Sequence, residues 1–215
     1  LFGFFKKMTD TKILIMCGRY VLYNSSSAIK AHFDLDTIKN YNPSYNIAPG
    51  QYSAIINKSS NLDLYRWGFT PEWSKKPIIN SRSETVLQKE IFKQSLISRR
   101  CIVPNSGWFE WKDNKPYYIK SKESDIIGFA GIWTVYENIN KYVILTRTSH
   151  GKIASLHSRA PIILKKLDYN KWLYGSVEES MEAACYPYEY DFDITEVSKD
   201  INSIKNDNYN LICSI

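Results

Sequence analysis

The sequence has few of the residues from which metal sites, disulfide frameworks and membrane spans are built. Its four cysteines stand far apart, and none belongs to a Cys-x-x-Cys pair of the kind that holds structural zinc. Their scatter also gives no disulfide framework, so we expect a reducing compartment and neither a metal nor another cofactor. No apolar run is long enough to cross a bilayer. These absences predict a globular cytoplasmic protein that makes no use of a membrane.

Arginine is scarce as well, because only seven of the 28 basic residues are arginine. In a chain whose default cation is lysine, each arginine is a candidate for binding phosphate or carboxylate with its planar fork. Buried ion pairs that stabilise the fold explain the same arginines equally well. The net charge of +6 permits an anionic partner but does not require one.

The 215 residues contain no internal repeat and no Pro/Gly/Ser-rich linker, so we expect one domain over residues 16–215. Residues 1–15 are interpreted as an N-terminal extension that is absent from or removed in the mature protein, with Met16 as the working start. Their apolar stretch around Ile13 is too short for a secretory signal. An extra strand or a loose N-terminal arm is the alternative.

The fold class predicted from the residue pattern is α+β, with a β-rich core of curved antiparallel sheets, barrel-like, and a few peripheral helices. Segments rich in β-branched and aromatic residues predict strands at residues 20–23, 52–57, 62–67, 100–103, 108–111, 117–120, 126–130 and 142–146. Helices are predicted from a serine cap at 25–27 to Phe33, over residues 89–97, after a cap at Asp168, and over residues 178–185.

Cys17 is the most reactive position that the sequence offers. It follows Met16, so a chain that starts at Met16 and loses it carries a free α-amine and a thiol on one residue. With an aldehyde, the amine forms an imine and the thiol then closes a five-membered thiazolidine ring. An internal cysteine cannot do this, because its nitrogen belongs to an amide.

Three further segments contain candidate site residues. The turn-forming stretch 80–85 combines an amide, a cation and a carboxylate, which indicates either a buried structural network or a site. Glu110 stands between Phe109 and Trp111, where desolvation would raise its pKa and suit it to acid–base work. A solvent-facing glutamate on an edge strand is the open alternative. His157 lies in a loop beside a cation and is a candidate acid or base, although single histidines are more often structural.

Arg66 and Trp67 precede Gly68, so a guanidinium and an aromatic face stand where a glycine lets a ligand backbone approach. This arrangement suits a stacked base and its phosphate. A buried tryptophan cluster would produce the same residues.

Seven blocks, taken together and in this order, resemble the SOS response-associated peptidase (SRAP) family. The blocks are Met16-Cys17-Gly18-Arg19-Tyr20, Tyr45-Asn46-Ile47-Ala48-Pro49, Arg66-Trp67-Gly68-Phe69 with Trp73, Asn80-Ser81-Arg82-Ser83-Glu84-Thr85, Arg100-Cys101-Ile102-Val103-Pro104 with Gly107-Trp108-Phe109-Glu110-Trp111, Ala130-Gly131-Ile132-Trp133, and His157-Ser158-Arg159-Ala160-Pro161. The resemblance runs from Met16 to about Val197.

The resemblance implies a protein that binds single-stranded DNA and crosslinks itself to abasic sites, shielding them during the DNA damage response. It implies the SRAP-like fold, with lyase-like Schiff-base chemistry and possible autoproteolysis as the activity. The implied catalytic residues are Cys17, Asn80, Glu110 and His157. The DNA-binding residues are Arg19, Pro49, Trp67, Arg82 and Arg159, with Thr148 as a looser match and Arg66 added from its own motif. We expect a monomer in the cytoplasm at the nucleoid, or in the nucleus of a eukaryote.

Two other functions stay open on the sequence. In the first, a thiol peptidase, Cys17 attacks a peptide bond with His157 as base and Asn80 as orienting group, which could remove residues 1–15. In the second, the arginines and tryptophans bind single strands without any covalent step. The crosslinking function requires the extension to be removed, because an acylated cysteine nitrogen is not a nucleophile.

Overall fold

The computed structural model describes residues 17–185 and 191–215. Within these ranges the strands β1 to β14 span Tyr20–Leu22, Thr37–Ile38, Ser44–Ile47, Tyr52–Ile56, Asn61–Trp67, Asn80–Arg82, Arg100–Asn105, Gly107–Lys112, Lys115–Ser121, Ile127–Tyr136, Ile139–Thr148, Arg159–Pro161, Ile163–Leu164 and Phe192–Glu196. The helices α1 to α5 span Ser26–Phe33, Glu90–Ser98, Gly151–Ala154, Tyr169–Tyr174 and Val177–Cys185. Short 3-10 helices span Ser83–Gln88, Lys166–Asp168, Lys199–Asn202 and Tyr209–Ile212. The predicted extension at 1–15 lies outside the described residues.

Five strands close into a barrel. Strand β11 pairs with β10, β10 with β7, β7 with β4 and β4 with β5, and β5 returns to β11. The predicted β-rich α+β class is therefore confirmed. Most neighbouring strands are antiparallel, as predicted, and three pairs, β5–β11, β6–β11 and β2–β5, are parallel. Parallel neighbours need long crossover connections, which short-range sequence patterns do not reveal.

A second sheet, in the order β14-β9-β8-β1-β3, packs against the barrel. The chain passes from the barrel to this sheet between β7 and β8, at Gly107. Gly107 has φ of 142°, and a Cβ atom there would stand 2.6 Å from the carbonyl oxygen of Ile119. Only glycine fits this crossing. The crossing sets where β8 begins, and β8 carries Glu110.

The residues of β8 alternate between two apolar clusters. Trp108 belongs to the main core with the barrel strands, whereas Phe109 belongs to a smaller cluster with Val21 and Tyr118 on the opposite face. By the same alternation Glu110 shares the face of Trp108. Glu110 is 1% exposed, so the solvent-facing alternative is wrong.

Local sequence signals place most of the helices but not all of their caps. The Ser25 side chain accepts a hydrogen bond from the Ala28 N–H and caps α1, as predicted. Asp168 makes no side-chain capping bond to α4, because it lies in a 3-10 turn with helical backbone angles instead of the extended angles of an N-cap. The stretch 80–85 is also not a simple turn, since Asn80–Arg82 forms β6 beside β11.

Arg100 at the start of β7 ties two helices to the barrel. Its buried guanidinium donates to main-chain carbonyl groups at the C-terminal ends of α2 and α4, which lack partners within their helices. The acceptors are the carbonyl oxygens of Leu96, Ile97, Trp172, Leu173 and Gly175. This arginine is structural, although its acceptors are main-chain carbonyl groups and not the buried ion-pair partners that the structural interpretation expected.

Candidate active site and nucleic-acid interface

Cys17 and Glu110 meet where β1 and β8 run side by side. Tyr20 is paired with Trp108, and the Phe109 N–H donates to the Arg19 carbonyl oxygen at 3.0 Å. This register brings the Cys17 nitrogen to 3.1 Å from Glu110 Oε1, to which it donates a hydrogen bond. Both side chains are buried, so the contact is enclosed by protein.

Burial controls the ionisation of both groups. Desolvation raises the pKa of Glu110 to about 8, against an ordinary 4.5, and the hydrogen bond from the Cys17 N–H lowers it only in part. Desolvation, and secondly the nearby Glu110 charge, raise the pKa of the Cys17 thiol well above its usual range. A carboxyl group with a pKa this high can take up and release a proton near neutral pH.

Asn80 and Arg82 lie on β6, which is linked to β1 through Trp67. In β6, Asn80 stands opposite Ile144 of β11, and Arg82 stands opposite Thr146. The Trp67 indole N–H donates to the carbonyl oxygen of the residue before Asn80, at 3.0 Å. The Trp67 ring packs edge-on against Tyr20 at 5.1 Å, three residues after Cys17. This chain of contacts connects β6 with the strand that follows Cys17.

His157 precedes β12 and is half-buried. His157 Nδ1 lies 3.1 Å from the Arg159 main-chain nitrogen and 3.2 Å from the Arg159 carbonyl oxygen, so it accepts from the first or donates to the second according to its tautomer. The Ser149 hydroxyl donates to the His157 carbonyl oxygen and fixes the loop to the end of β11. Arg159 of β12 is paired with Thr148, the last residue of β11. His157 therefore lies next to the C-terminal end of β11.

Two of the predicted DNA-binding arginines are already engaged within the protein. Arg159 donates from both amino groups to the two carboxylate oxygens of Glu84, and also to Thr146 and Thr148. The bond to Arg159 is the main reason that the pKa of Glu84 falls to about 2. Arg19 donates to Asn46 Oδ1 and to the Ile201 carbonyl oxygen, both at 2.8 Å.

Arg66 and Arg82 are the exposed members of the predicted arginine set. Arg66 donates through Nε to the Gly50 carbonyl oxygen at 2.8 Å, and its two amino groups bind no acceptor among the described residues. Nor does any acceptor in the described ranges bind the Arg82 guanidinium. Pro49 is half-buried beside Gly50. These two arginines present the forks that a phosphate can reach.

Trp67 has no accessible surface, and its ring stacks on Tyr142 at 6.3 Å. The Trp67 ring therefore packs in the main core and has no exposed face on which a base could stack. Thr148 is exposed, and its hydroxyl accepts from Arg159 at 3.4 Å. Exposed aromatic surface lies elsewhere and includes Trp73, which is 74% exposed.

Glu84 and Trp111 are not among the site residues that the sequence predicts. Glu84 organises Arg159, and Trp111 is half-buried directly after Glu110, with its indole N–H donating to Asn202 Oδ1 at 3.0 Å. Both residues belong to motifs that the sequence shows, the stretch 80–85 and the block around Glu110. Their partners, far away along the chain, could not be read from those motifs.

No group of three or more His, Cys, Asp and Glu side chains in the described ranges could hold a metal ion. No helix within those ranges is long and apolar enough to cross a bilayer.

Comparison with known proteins agrees with this architecture. In the solved structures, a protein from Bacteroides thetaiotaomicron superposes with a TM-score of 0.79 at 20% identity, covering 93% of this chain and all of that one. Among curated proteins, the abasic site processing protein YoaM of Bacillus subtilis is 35% identical over 221 residues, with 92% of this chain and 97% of YoaM covered. The abasic site processing protein YedK of Escherichia coli is 29% identical, with 92% and 99% covered. The family model for SOS response associated peptidase (SRAP) matches residues 16–204. The chain therefore belongs to the SRAP family.

Proposed function

We propose that this protein binds single-stranded DNA and captures abasic sites as a covalent thiazolidine adduct on Cys17, once the residues ahead of Cys17 are gone. The relatives that carry the name abasic site processing protein support the substrate. The observation that carries the proposal is the 3.1 Å hydrogen bond between the Cys17 nitrogen and buried Glu110. That nitrogen becomes the nucleophilic α-amine when Cys17 is the first residue.

The reaction begins with the ring-opened abasic sugar, whose C1′ is an aldehyde. A free α-amine has a pKa of about 7.7 to 8.0, so roughly a tenth of it is neutral at pH 7. Glu110 accepts the proton that the amine loses as its nitrogen adds to C1′ and returns it to the C1′ oxygen, which gives a carbinolamine. His157 then protonates the hydroxyl group, which leaves as water, and takes back a proton from the nitrogen to give the imine.

The second half of the reaction closes the ring. The Cys17 sulfur adds to the imine carbon, the nitrogen takes up the thiol proton, and a five-membered thiazolidine results. The overall balance is one aldehyde, one amine and one thiol giving a thiazolidine and one water. Asn80 orients the amine and the sugar. The ring is more durable than the imine, because reversal must break a carbon–sulfur bond before water can attack.

Exposed cations provide the DNA-binding surface. Arg66 and Arg82 bind phosphates directly. Arg19 and Arg159 act indirectly, because their bonds to Ile201 and Glu84 hold the neighbouring segments of the protein in place. Trp73 offers a face on which a base can stack.

Intact-mass spectrometry after incubation with abasic single strands tests the chemistry. We expect a heat-stable adduct, without added reductant, from a chain that starts at Cys17. Cys17→Ser keeps the amine and should give only an adduct that borohydride must trap. Cys185→Ser is the matched control, since Cys185 is exposed but internal. Parental rates from both Glu110→Gln and His157→Ala would contradict the roles assigned to them.

A second candidate activity, removal of the preceding residues by Cys17 itself, is favoured by one observation. Cys17 has φ of 41°, a left-handed conformation that is unfavourable for a residue other than glycine. Removal of the preceding residues would relieve this strain, because the first residue of a chain has no φ angle. Mass analysis of the purified full chain over time tests this activity. Cleavage that continues in Cys17→Ser would exclude it.

A further inference from the structure

A cavity of about 300 Å³ opens beside Arg66, on the barrel side of the site. Its lining includes Pro49, Gly50, Arg66, Gly68, Glu137 and Lys141. Of these, Lys141 and Glu137 have no place in the function proposed above. The cavity thus has two cationic side chains and one carboxylate.

Lys141 and Arg66 are brought together by the parallel pairing that closes the barrel, in which they stand directly opposite each other. The Lys141 side chain is only 5% exposed. Its ammonium lies 2.7 Å from Glu137 Oε2 and 4.7 Å from the centre of the Tyr136 ring. The carboxylate and the ring face together compensate the charge for its loss of water.

Glu137 is the partner of Lys141 that an anion from outside the protein can replace. It occupies the turn between β10 and β11, where it and Asn138 have φ of 52° and 59°. Its side chain is 69% exposed, so its carboxylate regains full hydration when it leaves Lys141. An incoming anion can therefore take its place on Lys141 while the two unbonded amino groups of Arg66 bind the anion's other oxygens.

We propose that this cavity is a phosphate subsite for a phosphodiester of the bound strand outside the abasic nucleotide, with Lys141 as a binding residue and Glu137 as a competing internal anion. This inference rests on the proposed function. The phosphate of a DNA strand is favoured because Arg66 and Gly50 are exposed beside the cavity, so that a continuous backbone can pass over it. A strand at this position contacts both cations at once.

The experiment measures binding of undamaged oligothymidylate, by fluorescence anisotropy, as a function of salt concentration. One lost phosphate contact should make the slope of log K against log salt less negative by about 0.7, which is roughly fivefold weaker binding at about 0.1 M salt. We expect this change in Lys141→Gln, whereas Lys141→Arg keeps the parental slope. Lys171→Gln is the matched control, because it removes an ion pair with Glu182 on α4 and α5, away from the cavity.

Glu137→Gln tests the competition by a substitution at an exposed side chain. It should bind the oligonucleotide several-fold more tightly than the parent, and the gain should vanish when Lys141→Gln is added. Parental slopes in Lys141→Gln and parental affinity in Glu137→Gln, with both variants folded by circular dichroism, would overturn the proposal.

Inorganic phosphate serves as a second probe. If Lys141→Gln weakens phosphate binding but leaves the oligonucleotide slope unchanged, the cavity binds a free anion and its assignment to DNA is wrong. The proposed function fails separately, if wild-type protein starting at Cys17 gives no heat-stable adduct while the slope still depends on Lys141. If the protein forms the adduct but the parent and Lys141→Gln have the same salt slope, only the assignment of the cavity is wrong.

Discussion

Glu110→Gln should raise the free energy of unfolding, and the increase should become larger as the pH rises. Glu110 is 1% exposed, and its Oε1 accepts a hydrogen bond from the Cys17 nitrogen at 3.1 Å. Glutamine keeps the size of the side chain and an oxygen for this bond but carries no charge at any pH. The substitution therefore removes the cost of a buried carboxylate and little else.

The magnitude follows from the pKa of Glu110, which is about 8 in the folded chain against an ordinary 4.5. Between these values the folded state binds the proton more strongly than the unfolded state, so the free energy of unfolding falls as pH rises. At ~1.4 kcal/mol per pH unit, the free energy of unfolding of the parent falls by about 5 kcal/mol between pH 4.5 and about pH 8, relative to that of Glu110→Gln. The loss is absent well below pH 4.5 and complete above pH 8.

Urea unfolding of the full chain at about pH 5 and about pH 8.5 measures this difference. We expect the advantage of Glu110→Gln over the parent to grow by about 4 kcal/mol between the two conditions. Glu72→Gln, at an exposed position, is the control and should show no such growth. An advantage of Glu110→Gln that is the same at both pH values would refute the reasoning.

A chain that starts at Cys17 gives the companion measurement. Its α-ammonium would stand beside Glu110 and favour the carboxylate, which lowers the pKa of Glu110 relative to the extended chain. The advantage of Glu110→Gln at high pH should then shrink. An undiminished advantage would mean that the amine does not occupy the place of the amide nitrogen.

Three further predictions address the site and the fold. Cys17→Ser should turn a heat-stable adduct into one that mass spectrometry detects only after borohydride reduction, and a heat-stable adduct in this variant would exclude ring closure through sulfur. Arg66→Gln and Arg82→Gln should each make the salt slope of single-strand binding less negative by about 0.7, and unchanged slopes would remove them from the interface. Arg100→Met should lower the free energy of unfolding by roughly 3 kcal/mol or more in urea titrations, because several helix-end carbonyl groups lose their donor; a change below about 1 kcal/mol would contradict this.

The helices and most of the strands follow from local patterns. Ser25 caps α1 through its own side chain, and the predicted helix over residues 89–97 appears as Glu90–Ser98. Strand β6 is the instructive exception. The polar residues at 80–85 predict a turn, and only pairing with β11 makes a strand of Asn80–Arg82. No short-range signal announces a partner more than sixty residues away.

The candidate site divides in the same way. The motifs identify Cys17, Asn80, Glu110 and His157 as residues with useful chemistry, but they do not decide which arginines are free. Arg159 is engaged because Glu84, 75 residues away, occupies its fork. Arg82 has the same chemistry and remains exposed.

The sequence by itself determined the kinds of chemistry that are available: a cysteine that can become N-terminal, one carboxylate in an apolar strand, and a small set of arginines. The tertiary structure decided which of these groups are buried, paired or exposed. The reason is physical, because the pKa of a carboxyl group and the availability of a guanidinium depend on the water and the partners around them. Here β1, β8 and the closed barrel bring those partners together from distant parts of the chain.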